Sequence, residues 1–138
     1  MSEQLLPGHK TIKVPGPDHP ITIEHNTNRV VVTVASHVVA DTRDGLILRE
    51  ASYPAVHYVP REDVDMALLE RTEHATYCPY KGDCSYFSIP LGGDRSKNAV
   101  WTYEAPYRAV ILIKDHLAFY PDRVDAIEER HGDSDPST

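Results

Sequence analysis

A chain of 138 residues suits one domain with one core, since folding at this size buries roughly 70% of the surface that the unfolded chain exposes. A formal charge of -7 with 14 scattered basic residues repels phosphate backbones, so nucleic acid is not an expected partner. No stretch approaches the roughly 20 apolar residues of a membrane span, so no membrane partner is expected, and the 11 prolines argue for frequent chain reversals over long helices.

Residues 1–18 carry Pro7, Gly8, Pro15, Gly16 and Pro17 with little apolar periodicity, which predicts an irregular N-terminal arm. The opening Met1-Ser2-Glu3-Gln4 lacks the basic and apolar regions of a secretory signal, and the cytoplasm is the expected location. In Ile21-Thr22-Ile23-Glu24 the isoleucines share one face, as on a half-buried strand. Residues 30–35 are rich in β-branched side chains, and His25-Asn26-Thr27-Asn28 has the composition of a hairpin loop. A short strand at Val38-Val39-Ala40-Asp41, a reversal at Asp44-Gly45 and a strand at Leu46-Ile47-Leu48-Arg49-Glu50 would extend that hairpin into a four-strand meander. Residues 56–59 are extended between Pro54 and Pro60, each of which removes an amide donor and suits an edge or a strand end.

After Pro60 the spacing turns helical. Glu62 and Asp63 fall in a first turn, and Val64, Ala67, Leu68 and Arg71 follow at three- and four-residue steps, predicting one short helix that rests on the sheet. Residues 72–83 read as irregular. Strand character returns at residues 84–89, 99–103, 110–113 and 117–120, with turns at Gly92-Gly93-Asp94 and Lys114-Asp115-His116. The fold expected is mainly β, a small antiparallel sandwich or open barrel with one short helix. It occupies residues 19–127 as a single domain, followed by a polar tail over residues 128–138 that frays.

The residues Arg49-Glu50, Tyr53-Pro54, Tyr58-Val59-Pro60-Arg61-Glu62-Asp63-Val64, Thr76-Tyr77-Cys78-Pro79-Tyr80-Lys81-Gly82, Ala99-Val100-Trp101-Thr102-Tyr103, Pro106 and Ala118-Phe119-Tyr120-Pro121-Asp122-Arg123-Val124 together resemble domain-of-unknown-function family 427, also labelled nucleotidyltransferase-like. The resemblance covers most of the chain from about Pro20. It implies a compact, tent-like β domain with one helix and no demonstrated reaction. At Cys84 and His57 the chain departs from the family pattern, so the resemblance gives neither a role.

The segment His74-Ala75-Thr76-Tyr77-Cys78-Pro79-Tyr80-Lys81-Gly82 gathers a thiol, a cation and a histidine, and a cation beside a thiol favours the nucleophilic thiolate. The rival reading of Cys78 is a buried structural thiol. With only two cysteines, both are expected to be reduced. His74, Cys78, Cys84 and His57 lack the spacing of any zinc module. No glycine-rich phosphate loop or paired-aspartate motif occurs, so no metal site and no cofactor is expected.

Eight tyrosines and one tryptophan accompany two phenylalanines, and a buried tyrosine hydroxyl needs a hydrogen-bond partner, which a wet or ligand-bearing wall supplies. Trp101 and Tyr103 share a strand face. These residues predict a small-molecule site in which Cys78, Lys81 and Glu50 carry the chemistry and Arg49, Tyr53, Tyr58, Tyr86, Trp101 and Tyr103 bind the ligand, a small polar or anionic metabolite. Core packing for the rings and a solvated ion pair for Arg49 and Glu50 are the plainer readings. A non-catalytic assembly module, its valine-rich first hairpin pairing with a second copy across an exposed edge, is the rival function. Nucleotidyltransferase-like activity is the one that the family label implies. His9, His19 and His131 fall in the arms and are expected to have no specific role.

Overall fold

The computed structural model describes residues 10–131. Parts of the expected arm and tail, residues 1–9 with His9 and residues 132–138, lie outside the described residues. The fold is mainly β, two antiparallel sheets built from ten strands. These are β1 (Ile21–His25), β2 (Arg29–Val34), β3 (His37–Thr42), β4 (Leu46–Glu50), β5 (Val56–Pro60), β6 (Glu70–Cys78), β7 (Gly82–Ser88), β8 (Val100–Thr102), β9 (His116–Phe119) and β10 (Ala126–Arg130). The large sheet runs β1-β4-β5-β9-β8-β7-β6 and the small one β10-β2-β3. Among the described residues no helix is long and apolar enough to cross a membrane.

The meander expected from the first four strands does not form. β1 pairs with β4 in the large sheet, while β2 leaves for the small sheet and pairs with β3 and β10. The reason lies in burial: Val30, Val31, Val32 and Val34 are all nearly inaccessible, and a strand this apolar belongs at the centre of a layer. Glu128, Glu129 and Arg130, expected to fray, instead extend β10 along β2.

The ten-residue helix expected after Pro60 is replaced by two 3-10 turns, Arg61–Asp63 and Met66–Leu68, with strand beginning at Glu70. Short helical spacing yields here to cross-strand pairing, for the stretch expected to be irregular after Thr72 is β6, bonded along β7 with a bulge between Arg71 and Ala75. In the other direction, the β-branched run at residues 110–113 belongs to the 3-10 segment Arg108–Ile113.

Strand alternation sorts the large sheet into two faces. Val59, Phe87, Val100, Leu117 and Phe119 join Val32, Val34 and Val39 of the small sheet in one core between the layers. Tyr58, Tyr86, Cys84 and Ala118 face the other way and form a second core with Leu48, Tyr103, Val110 and Ile113. This second face is concave. In a flat sheet β4 and β7 would stand four strand spacings, roughly 19 Å, apart, yet Glu50 at the end of β4 touches Lys81 beside β7. The sheet therefore curls around its second core, although β1 and β6 do not pair and it stays open.

Candidate functional site

The curl encloses a cavity of about 230 Å³ lined by Leu48, Glu50, Val56, Tyr58, Lys81, Tyr86, Trp101, Tyr103 and Tyr120. Pairing puts Tyr86 opposite Trp101 and Trp101 opposite Ala118, so adjacent strands present their rings side by side. Trp101 Nε1 donates to Tyr58 Oη at 3.1 Å, and the Trp101 and Tyr120 rings meet with centroids 4.5 Å apart. Tyr86 Oη shares a hydrogen bond of 2.8 Å with Thr76 Oγ1. His74 stands against the Tyr86 ring at 4.4 Å.

Lys81 reaches this wall from the tight turn between β6 and β7. Its own amide donates to the Cys78 carbonyl, and its carbonyl accepts from the Tyr107 amide. Gly82, at φ +112°, turns the chain into β7 with a backbone geometry that side-chain-bearing residues avoid. The lysine is 7% exposed. Its Nζ donates to Glu50 Oε1, lies 3.7 Å from Cys78 Sγ and 5.9 Å from the Tyr103 ring centre.

Glu50 is bonded on its other oxygen as well, His19 Nε2 lying 2.7 Å from Oε2. His19 in turn stacks on Tyr80 at 4.0 Å. Burial alone would raise the Glu50 pKa, but the hydrogen bonds from Lys81 and His19 outweigh it and hold the carboxyl below its ordinary value. Burial pushes Tyr58, Tyr86 and Tyr103 above the usual tyrosine range, so these hydroxyls stay protonated and act as hydrogen-bonding groups. Burial likewise raises the Cys84 thiol. Both cysteines are free thiols.

Of the residues singled out from the sequence, Glu50, Lys81, Tyr58, Tyr86, Trp101 and Tyr103 converge on this cavity. Cys78 sits beside Lys81 Nζ without lining the cavity. Arg49 faces away, 56% exposed, with its Nε 3.6 Å from Glu24 Oε1. Tyr53 is exposed and borders a different, apolar hollow. The reading of His19 as a residue without a role is overturned by its bond to Glu50; nothing local in Pro17-Asp18-His19 signals it. Tyr120 was within reach of the sequence, since Ala118 and Tyr120 alternate onto the face of the second core. Among the described residues no group of three or more His, Cys, Asp or Glu is placed to hold a metal ion.

These features define a mainly β domain whose curled sheet holds an aromatic cavity with a buried ion pair in its wall. The model of the domain of unknown function DUF427 matches residues 22–130, and the chain belongs to that family. No curated protein matches the chain.

Proposed function

We propose that this domain binds a small polar metabolite with an anionic or carbonyl oxygen, seated in the aromatic cavity and received by Lys81. One observation carries the reading: an ammonium almost out of water stands in the wall of a cavity. Burying an ion pair costs several kcal/mol per ion, and apolar residues of similar volume are often as stable or more so. Charge kept at such a site supports a functional use. Among the described residues Nζ bonds only Glu50 and, weakly, Cys78, which leaves a third N–H for a guest.

The volume lies below the roughly 300–1,000 Å³ of drug-sized sites, which favours a compact metabolite. The tyrosine hydroxyls supply further donors at neutral pH, and the ring faces fit a planar guest. Turnover, if the bound group reacts, falls to Glu50 and Lys81, the two ionised groups in the wall, with Cys78 positioning the amine from behind. Nucleotidyl transfer is less well supported, because the lining offers one carboxylate, Glu50, already committed to Lys81 and His19. The assembly reading loses its main feature, since the β2 valines lie at the centre of the small sheet.

Native mass spectrometry of the protein taken directly from cells tests the proposal. The expected result is a small adduct on the wild-type chain that disappears from folded Lys81→Met. A retained adduct in that variant, or bare wild-type protein that also ignores a panel of small carboxylates and amides, would overturn it.

A further inference from the structure

The ammonium that faces the polar cavity becomes a nucleophile once it gives up a proton. Of the three residues singled out for chemistry, Lys81 and Glu50 line the cavity, whereas Cys78 Sγ stands 3.7 Å from Nζ without lining it. Water hydrolyses imines, so an exposed lysine holds a carbonyl compound only briefly, and a site that excludes water protects the adduct. Lys81 is almost wholly buried, in a wall shared with Tyr58, Tyr86, Trp101 and Tyr103. A lysine taken out of water in a pocket is a recurring nucleophile toward carbonyl carbon.

We infer that Lys81 forms a protonated imine with a small, flat, uncharged aldehyde or ketone held in the aromatic cavity, with Glu50 as proton shuttle and counter-ion. The inference rests on the reading of that cavity as a binding site and takes its carbonyl branch. Glu50 Oε1, bonded to Nζ, accepts one proton from the ammonium. The freed lone pair attacks the carbonyl carbon, and the carbon–oxygen π pair moves onto oxygen. A second N–H proton passes to that oxygen, giving a neutral carbinolamine. Glu50 then returns its proton to the hydroxyl, the carbon–oxygen bond breaks, and water leaves as the nitrogen lone pair closes the C=N bond. Ammonium and carbonyl are thereby exchanged for a protonated imine and one water, with no oxidant or reductant required. The positive charge remains on nitrogen, so the carboxylate already paired with the amine serves the product as well.

The surroundings equip Glu50 for this part. His19 Nε2 holds Oε2 at 2.7 Å, which keeps Oε1 turned toward the amine. Because the carboxyl is held below its ordinary pKa, it gives a borrowed proton back readily. Charge then selects among carbonyl compounds. Among the described residues that line the cavity Lys81 is the only cation, and as an imine it stays committed to Glu50. A keto acid would bring a second carboxylate beside Glu50 with no cation to match it, and like charges repel strongly where water is scarce. The ring faces of Trp101 and the tyrosines suit a flat conjugated guest.

Reductive trapping tests the inference on the full chain. 4-Hydroxybenzaldehyde is added with cyanoborohydride, which reduces a protonated imine to a stable secondary amine, and peptide mass spectrometry locates the modified lysine. Native mass spectra taken before reduction record non-covalent binding. Lys81 should be labelled about ten-fold faster than the exposed Lys10, Lys13, Lys97 and Lys114, because the cavity presents the carbonyl at high effective concentration. 4-Hydroxybenzyl alcohol, which lacks the carbonyl, should protect Lys81 alone, and 4-carboxybenzaldehyde should label it far more slowly. Folded Glu50→Gln leaves the imine without its counter-ion, so the reducible protonated form and its label should fall to the level of the exposed lysines. Labelling of wild-type Lys81 no faster than that of those lysines would overturn the inference. If the aldehyde still bound in the native spectra, the cavity would stand as a binding site and the imine alone would fail; absence of binding by aldehyde and alcohol alike would count against the cavity reading as well. Equal labelling by the carboxylated aldehyde would overturn the preference for an uncharged guest, and undiminished labelling in Glu50→Gln would overturn the role of Glu50.

Discussion

At Lys81 an ammonium has left water for a wall of aromatic rings, and the charge of Glu50 offsets that loss. Removing one partner strands the other, which for a buried pair costs about 3–5 kcal/mol. Urea unfolding should therefore show Glu50→Gln strongly destabilised, since it leaves the Lys81 ammonium without a counter-charge, and Lys81→Met less so, since His19 still bonds Glu50. The double variant should lose clearly less than the sum, and strict additivity would mean that the two groups do not act as a pair.

Acid should also reveal Glu50. Its folded-state pKa lies below the ordinary 4.5, so the folded protein takes up the proton less readily than the unfolded chain. That stabilisation is complete above the ordinary value and drains away as pH falls through the depressed one. Asp41, bonded by Arg29, and Glu129, bonded by Asn28, are lowered too and act with the same sign. Urea midpoints taken between about pH 6 and pH 3 should fall with pH, and Glu50→Gln should flatten part of the slope while the share of Asp41 and Glu129 remains. At this scale the sequence was informative where chemistry is intrinsic, as in the scarcity of phenylalanine beside many tyrosines. It was silent on His19, whose role exists only because a distant strand ends beside it.

Among the elements, the turn from β6 to β7 matters most, because it aims Lys81. Gly82 holds φ +112°, and a Cβ there would stand 3.4 Å from the Ala105 carbonyl oxygen. Gly82→Ala should cost about 1–3 kcal/mol and should reduce adduct formation in native mass spectra, because Lys81 precedes the strained position. Unchanged stability would show that the turn relaxes freely. The strand signal announced β1, β4, β7 and β9 correctly, although β7 and β9 bury side chains on both faces, Phe87 and Phe119 on one and Tyr86 and Ala118 on the other. It failed at β6, whose Glu70, Arg71, Glu73 and His74 are exposed and which owes its existence to pairing with β7. The run at residues 110–113 misled for the opposite reason: its apolar side chains are demanded by a core, and a 3-10 segment delivers Val110 and Ile113 to it equally well.

For the whole molecule, the two-sheet architecture was legible from short strands, proline-rich joints and turn chemistry, but which strand joins which sheet was not. Sheet membership depends on long-range partners such as β10, which meets β2 about a hundred residues away in the chain. The same topology bears on self-association. β6, an outer strand of the large sheet, carries a bulge and the charges of Glu70, Arg71 and Glu73, and β10 carries Glu128, Glu129 and Arg130. These two edges resist pairing with a second copy, whereas β3, the other outer strand of the small sheet, exposes Val38; any dimer seen by light scattering at high concentration should therefore run through β3 and dissociate in Val38→Lys, and one that survives the change would point to another face.

Trp101 is the only tryptophan of the chain, and its indole stands in the partition between the polar cavity and the apolar hollow. The protein thus carries a built-in optical gauge. Filling the Lys81 side should disturb the indole near its bond to Tyr58, and filling the other side should exclude water from its opposite flank, giving emission changes that differ in wavelength. Fluorescence excited at the red edge of tyrosine absorption would then tell which compartment a newly found guest has entered, with no label attached.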